Sequence, residues 1–187
     1  STYKKEIARF VRRPLNRLEP AKEMTMLAGV VVGLRTQLTR RGKMLFVQLD
    51  DGTAMVEVSV FNELFEAERH KIVTDEVLLV EGKVSYDDFS GGNRVVADKL
   101  MTLGEARARF AKFLLVRISQ DKGDARKLRD LLQPFLSGSA PVRIHYRRSA
   151  AEAQLQLGEG FKVRLDDALL EALATWLGGD AVEIVYS

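Results

Sequence analysis

Cysteine is absent from the 187 residues. That excludes disulfides, thiolate catalysis and cysteine-based zinc sites, and makes a reducing cytoplasm the expected location. Histidine is scarce. His70 falls in a charged stretch with helical spacing and His145 alternates within a strand pattern, neither at ligand spacing from a second strong ligand, so no catalytic or metal role is expected of either. No apolar run of about eighteen residues occurs, so neither a transmembrane helix nor a membrane partner is expected. The basic opening, residues 1–20, lacks the apolar core of a signal peptide. A P-loop, a glycine-rich dinucleotide motif and a nucleophile elbow are all missing. The acidic pairs Asp50-Asp51, Asp87-Asp88 and Asp166-Asp167 stand at turn or helix-start positions, where aspartate serves local backbone hydrogen bonding. No catalytic residue, cofactor or metal is expected.

A hydrophobic fraction of 46% supplies a core for two small modules. The net charge of +3 is uneven: +4 over residues 1–23, −3 over 24–103 and +2 over 104–187. A nucleic-acid site in the acidic middle must therefore be a local patch, because backbone binding needs clustered Lys and Arg. In residues 1–23, Ile7, Phe10 and Val11 share one helical face, and Pro14 and Pro20 mark a linker beyond it.

From Met24 the hydrophobic period becomes two. Strands are predicted over Met26–Leu38, Met44–Leu49, Ala54–Phe61, Val77–Tyr86 and Arg94–Met101, with a helix capped by Asn62 between the third and fourth. Gly29, Gly33 and Gly82 sit inside long strands, where a sheet bends or bulges. Three strands, a helix and two strands over 24–103 is the pattern of a five-stranded OB-fold barrel. A connecting helix at 104–112 leads into strand Phe113–Ile118, helix Asp124–Phe135, strands Val142–Tyr146 and Ala153–Leu157, a helix from Asp166 or Asp167 to Leu177, and strand Ala181–Tyr186. That order, β-α-β-β-α-β over 104–187, predicts a ferredoxin-like module. The whole is an α+β chain of two modules.

OB folds take single strands on the face of strands two and three, between the loops joining strands one to two and four to five. The first of these regions carries Arg35, Arg40, Arg41 and Lys43; the second carries Tyr86 and Phe89 beside Arg94; and Phe46 lies at the start of the second strand. Cations neutralise phosphates and aromatics stack bases, so these eight residues are the candidate nucleic-acid site, for weak binding of single-stranded DNA without sequence preference. In the second module Trp176 lies on the apolar face of its helix and reads as core. Phe161, after Gly158-Glu159-Gly160, and the terminal strand with Ile184 and Tyr186 are the candidate partner surface. Two other readings stay open: the anticodon-binding OB accessory domain of an aminoacyl-tRNA synthetase, and a protein-interaction scaffold whose barrel binds no nucleic acid.

The stretch Val80-Glu81-Gly82-Lys83-Val84-Ser85-Tyr86-Asp87-Asp88-Phe89-Ser90-Gly91-Gly92 closely resembles the C-terminal OB region of the bacterial DNA polymerase III α subunit. So do Leu38-Thr39-Arg40-Arg41-Gly42 and Gly104-Glu105-Ala106-Arg107-Ala108-Arg109-Phe110, and Ala140-Pro141-Val142-Arg143-Ile144-His145-Tyr146-Arg147-Arg148 is similar to that subunit's terminal domain. The resemblance implies a non-catalytic part of a DNA-directed DNA polymerase. Its barrel would contact template through Arg35, Arg40 and Arg41, and its terminal domain would dock the clamp-loader τ subunit through Phe161 and Ile184. The nucleotidyl-transfer carboxylates and the internal clamp-binding motif of the family have no counterpart here. A second clamp-binding motif at the family's C-terminus begins with Gln, and Ala181 stands at that position, so the resemblance does not extend to binding the β sliding clamp.

Overall fold

The structure, a computed structural model, describes residues 3–187. The chain divides into two units between Leu103 and Gly104.

The first unit is built on a closed barrel of five strands: β1 (Thr25–Thr39), β2 (Gly42–Asp50), β3 (Met55–Val60), β4 (Val77–Asp87) and β5 (Gly92–Thr102). Their order around the barrel is β1-β2-β3-β5-β4, and it closes because the first half of β1 pairs with β4 while its second half pairs with β2. This is the OB arrangement anticipated from the strand pattern. Two register shifts let the long strands turn the corner, one between Val31 and Gly33 and one between Glu81 and Gly82. Gly82 has a steric reason to be glycine, since a Cβ there would lie 2.7 Å from the Val96 carbonyl oxygen. The interior is aliphatic: Leu27, Val31, Val47, Leu49, Val58, Val60, Leu78 and Val80 are all fully shielded from solvent. Helix α2 (Asn62–Glu68) follows β3, and its Leu64 and Phe65 pack against the core. Asn62 is the first residue of that helix and not its cap. The capping position is Phe61, which makes no side-chain cap hydrogen bond.

Residues 14–23 are not a linker. After helix α1 (Lys4–Phe10), a 3-10 turn at Leu15–Arg17 places Leu15 and Leu18 in the barrel core, 4% and 9% exposed. Asp51 accepts the Leu15 N–H at 2.8 Å, and Thr53 Oγ1 accepts the Asn16 N–H at 3.2 Å. Further on, the Ala21 N–H donates to the Val84 carbonyl, Asn93 Nδ2 to the Leu18 carbonyl (2.9 Å) and Lys83 Nζ to the Lys22 carbonyl (2.6 Å). The segment is a strap that runs from the β2–β3 turn to the β4–β5 hairpin. Its two leucines fill one end of a barrel that would otherwise leave that core wet, each burial being worth about 1.5–3 kcal/mol.

The division falls at the first residue of α3 (Leu103–Phe110), which opens the second unit from Gly104 onward. The unit then runs through β6 (Phe113–Ser119), α4 (Ala125–Leu132), β7 (Leu136–Ala140), β8 (Val142–Arg148), β9 (Ala151–Gln156), α5 (Asp167–Leu177) and β10 (Val182–Val185). Asp124 caps α4 by accepting the N–H groups of Arg126 and Lys127. Asp166 holds the capping position of α5 without a side-chain cap bond. The β-α-β-β-α-β order and the α+β class are as anticipated, but the sheet is wired differently from the ferredoxin-like one. The order is β10-β6-β8-β9, with β6 and β8 directly adjacent and parallel. In the split arrangement another strand separates that parallel pair. Here β9 hairpins back on the outer side of β8, so it forms the sheet edge instead of the spacer. The short β7 was not visible in the sequence. It joins only through bridges of Leu136 and Ala140 to Val163, and its small residues carry no period.

Candidate nucleic-acid interface

The outer face of β1–β2–β3 is set by alternation. Leu45, Val47 and Leu49 point into the barrel, so Phe46 and Gln48 point out. Register places Arg35 opposite Phe46, Phe46 opposite Ser59, and Gln48 opposite Glu57. The Arg35 guanidinium lies 4.2 Å from the Phe46 ring centroid, and its Nη2 donates to Glu57 Oε1 at 3.1 Å. Arg35 therefore covers the one aromatic of this face and is itself neutralised. Both contacts are exposed and worth about 1 kcal/mol or less, so a base can displace them at small cost.

The β1–β2 turn is tied by Thr39, whose Oγ1 donates to the Gly42 carbonyl and accepts the Arg41 N–H. This projects Arg40, Arg41 and Lys43 into solvent without any acidic partner among the described residues. The β4–β5 turn is tied in the same way by Asp87, which accepts the Phe89 N–H through Oδ1 and the Gly91 N–H through its carbonyl. Asp87 thus ties its own turn. Phe89 at the tip is fully exposed, Tyr86 is 58% exposed, and Arg94 opposite Ser85 is exposed. Because β5 runs parallel to β3 with Val95 beside Val58, Gly92 comes level with Met55. The β4–β5 tip therefore lies at the start of β3, and the β1–β2 turn lies beyond its end. The structure brings Arg35 and Phe46 together and sets the two loops at opposite ends of the face between them.

Asp51, read from the sequence as a turn residue, does more. Burial pulls its pKa upward, but the N–H of Leu15, the hydroxyl and N–H of Thr53 and the N–H of Ala54 outweigh that, holding it below the ordinary carboxylate value. It is the clasp of the amino-terminal strap. The available signal was Leu15-Asn16-Arg17-Leu18, two leucines at helical spacing between two prolines.

In the second unit Phe161 sits half-buried in a 3-10 turn at Glu159–Phe161. Ile184 does not present a free anchor: it packs against the core, opposite Leu114 on β6, because β10 turns that side toward the helices. Tyr186 is half-buried just past β10. Trp176 packs against the core as read from its helical face, with Lys127 Nζ 5.4 Å from its ring centroid. A buried arginine was missed. Arg107 on α3, 4% exposed, donates through Nη1 to the Leu165 carbonyl (3.0 Å) and to Asp167 Oδ1 (2.8 Å). Among the described residues, no three His, Asp or Glu side chains gather as a metal site, and no helix is long and apolar enough to cross a membrane.

Residues 26–103 match a family described as OB-fold nucleic acid binding domain, and residues 127–178 match DNA polymerase III subunit alpha, C-terminal domain. DNA polymerase III subunit alpha of Pseudomonas aeruginosa is 39% identical over 187 residues, covering 98% of this chain and 16% of that protein. The chain belongs to the DNA polymerase III α-subunit family. The α subunits of Vibrio cholerae and Escherichia coli K12 are each 34% identical, over 191 and 192 residues, covering 99% and 98% of this chain. The chain spans 16% of the length of these α subunits. Among solved structures, the second OB-fold domain of replication protein A from Methanococcus maripaludis aligns with 49% of the chain and 93% of its own length at 18% identity. Its TM-score of 0.39 is too low to bear on the reading.

Proposed function

We propose that this chain is a non-catalytic binding region of a DNA polymerase III α subunit. Its barrel holds single-stranded DNA weakly and without sequence preference, and its second unit docks the clamp-loader τ subunit. The observation that carries the DNA reading is the fully exposed Phe89 at one end of the β1–β2–β3 face, with Arg40, Arg41 and Lys43, unpaired among the described residues, at the other. Phe89 and Tyr86 stack bases, Arg94 and the turn cations take phosphates, and Arg35 exchanges Glu57 for a phosphate while uncovering Phe46. No hydrogen-bonding pocket for base edges is formed by this set, which favours sequence-independent binding. Fluorescence anisotropy with labelled single-stranded and duplex oligonucleotides at two salt concentrations tests it. Binding is salt-sensitive and prefers the single strand, and Arg40→Glu/Arg41→Glu weakens it and flattens its salt slope. An unchanged affinity in that variant removes the loop from the site.

For τ, support comes from β10 as an edge strand, a position suited to strand addition, and from the half-buried rings of Phe161 and Tyr186. Ala181 closes a 3-10 turn ahead of β10, a setting that does not favour clamp binding by the tail. Phe161→Ser and Tyr186→Ser each weaken τ binding by calorimetry while the circular dichroism stays unchanged. Full retention of binding by both relocates the surface. The chain alone incorporates no nucleotide, and robust incorporation refutes the non-catalytic reading.

A further inference from the structure

Helix α1 and the strap that follows it form a strongly cationic amino-terminal segment, and the barrel reading makes no use of it. Lys4, Arg9, Arg12 and Arg17 are exposed and have no side-chain partner among the described residues, while Arg13 is paired with Glu19. Where α1 meets the β2–β3 turn there is a groove of about 320 Å³. Its floor is apolar, with Ile7, Val11 and Pro14, and its rim is Lys4, Arg12 and Arg13. Asp51 borders the groove, but its carboxylate is already occupied by the strap and its own turn. An apolar floor under a cationic rim suits a nucleotide unit, with a sugar or base below and a phosphate above. The rim is held in place as well: Leu15 and Leu18 are locked in the barrel core immediately after it, so little ordering cost is left for binding.

The position matters as much as the chemistry. The groove lies at the β2–β3 turn, the opposite end of β2 from Arg40 and Arg41. Nine residues of β2 separate the two clusters by about 30 Å at roughly 3.3 Å per residue. Between them the outer face is nearly neutral, its one cation paired to Glu57.

We infer that the strap groove is a second anchor for the phosphodiester chain, gripping the same single strand after it has crossed the barrel face. The inference rests on the barrel being a nucleic-acid module and adds a site outside it. It makes the bound length, and not only the affinity, a property of residues 4–13.

The test uses the intact chain with oligodeoxythymidylates of about 5 and about 16 nucleotides, the range a single OB fold engages. Lys4→Glu/Arg12→Glu lowers the affinity for the long oligonucleotide at least tenfold and reduces its salt slope by about 1.4, at about 0.7 for each phosphate no longer neutralised. The short oligonucleotide, held at the barrel, binds unchanged. Glu19→Gln, which releases Arg13, tightens the long one. Unchanged affinity and slope for the long oligonucleotide in the double variant, while Arg40→Glu/Arg41→Glu still weakens it, overturns the anchor and spares the barrel. An equal loss for both lengths also overturns it, since the strap would then act only as a diffuse attractor. Failure of the unmodified chain to bind either length sinks the barrel reading and the anchor with it.

Discussion

Replacing Arg107 by alanine should unfold the second unit far more readily than any other single change of a charged residue. Its guanidinium is 4% exposed and bridges α3 to the residues that open α5, through the Leu165 carbonyl and Asp167. Truncation removes a charge-assisted hydrogen bond, worth about 1.5–3 kcal/mol, and strips a partner from a shielded carbonyl, which costs about 1–3 kcal/mol more. Asp167 is half-exposed and is rehydrated once its partner goes, so the sum stays below the cost of stranding a fully buried charge. A destabilisation of about 3 kcal/mol follows. For a unit of this size that lowers the melting temperature by roughly 12–24 °C. The assay is built into the chain: Trp176 is the single tryptophan and packs against the core of this unit, so its fluorescence in a urea titration follows the second unit alone. Arg107→Lys keeps a positive charge beside Asp167 but loses the fork of the guanidinium, and falls between. A change under about 1 kcal/mol for Arg107→Ala, with unchanged denaturant slope, would show that the bridge is redundant and refute this accounting.

The strap makes its own predictions. Leu15→Ala costs the barrel about 2–5 kcal/mol, as for other buried leucines; far-UV circular dichroism records an earlier β transition, while the Trp176 transition stays where it was. The Asp51 pKa is depressed in the folded state, so the stability it contributes is present above its unfolded value near 4 and is lost as the pH falls through its lower folded value. Asp51→Asn is therefore less stable at neutral pH and shows a shallower acid limb below about pH 4, read from urea midpoints. Phe89→Ser leaves the melting temperature unchanged, because the ring is fully exposed, yet weakens single-strand binding by about 1–3 kcal/mol. A lower melting temperature in that variant would mean the ring is packed and not presented.

The barrel was legible because its signals are local and mutually consistent. Val56 and Val58 alternate with Glu57, Asp50-Asp51-Gly52 marks the turn, and Gly82 announces the bulge, at a position where the Val96 carbonyl leaves no room for a Cβ. The second unit's element order was legible for the same reason, but its strand order was not. Whether β8 lies beside β6 or one place further is decided by where β9 folds back, and both alternatives bury Leu114, Val116, Val142 and Ile144 equally well. The strap was misread because prolines at 14 and 20 break helical periodicity whether the segment is free or pinned. What pins it is contact with residues more than thirty positions away: hydrogen bonds to Asp51, Thr53, Val84 and Asn93, and burial of Leu15 and Leu18 in the barrel core.

Residues 24–103 are net acidic by three charges, which argues against nucleic acid when taken as a sum. In the fold some of those acids are already engaged. Asp51 clasps the strap, Asp87 ties the β4–β5 turn, Glu57 holds Arg35 and Glu68 pairs with Lys71. The turn cations Arg40, Arg41 and Lys43 have no acidic partner among the described residues, and neither do most of the strap cations. A carboxylate already accepting hydrogen bonds or paired with a cation repels a phosphate less than its formal charge suggests, and at physiological salt charges beyond about 8 Å are screened in any case. On the proposed reading a single strand would therefore meet two local positive clusters joined by a neutral, partly aromatic surface. Neutralising only a few phosphates, such a surface would release few counterions and bind weakly.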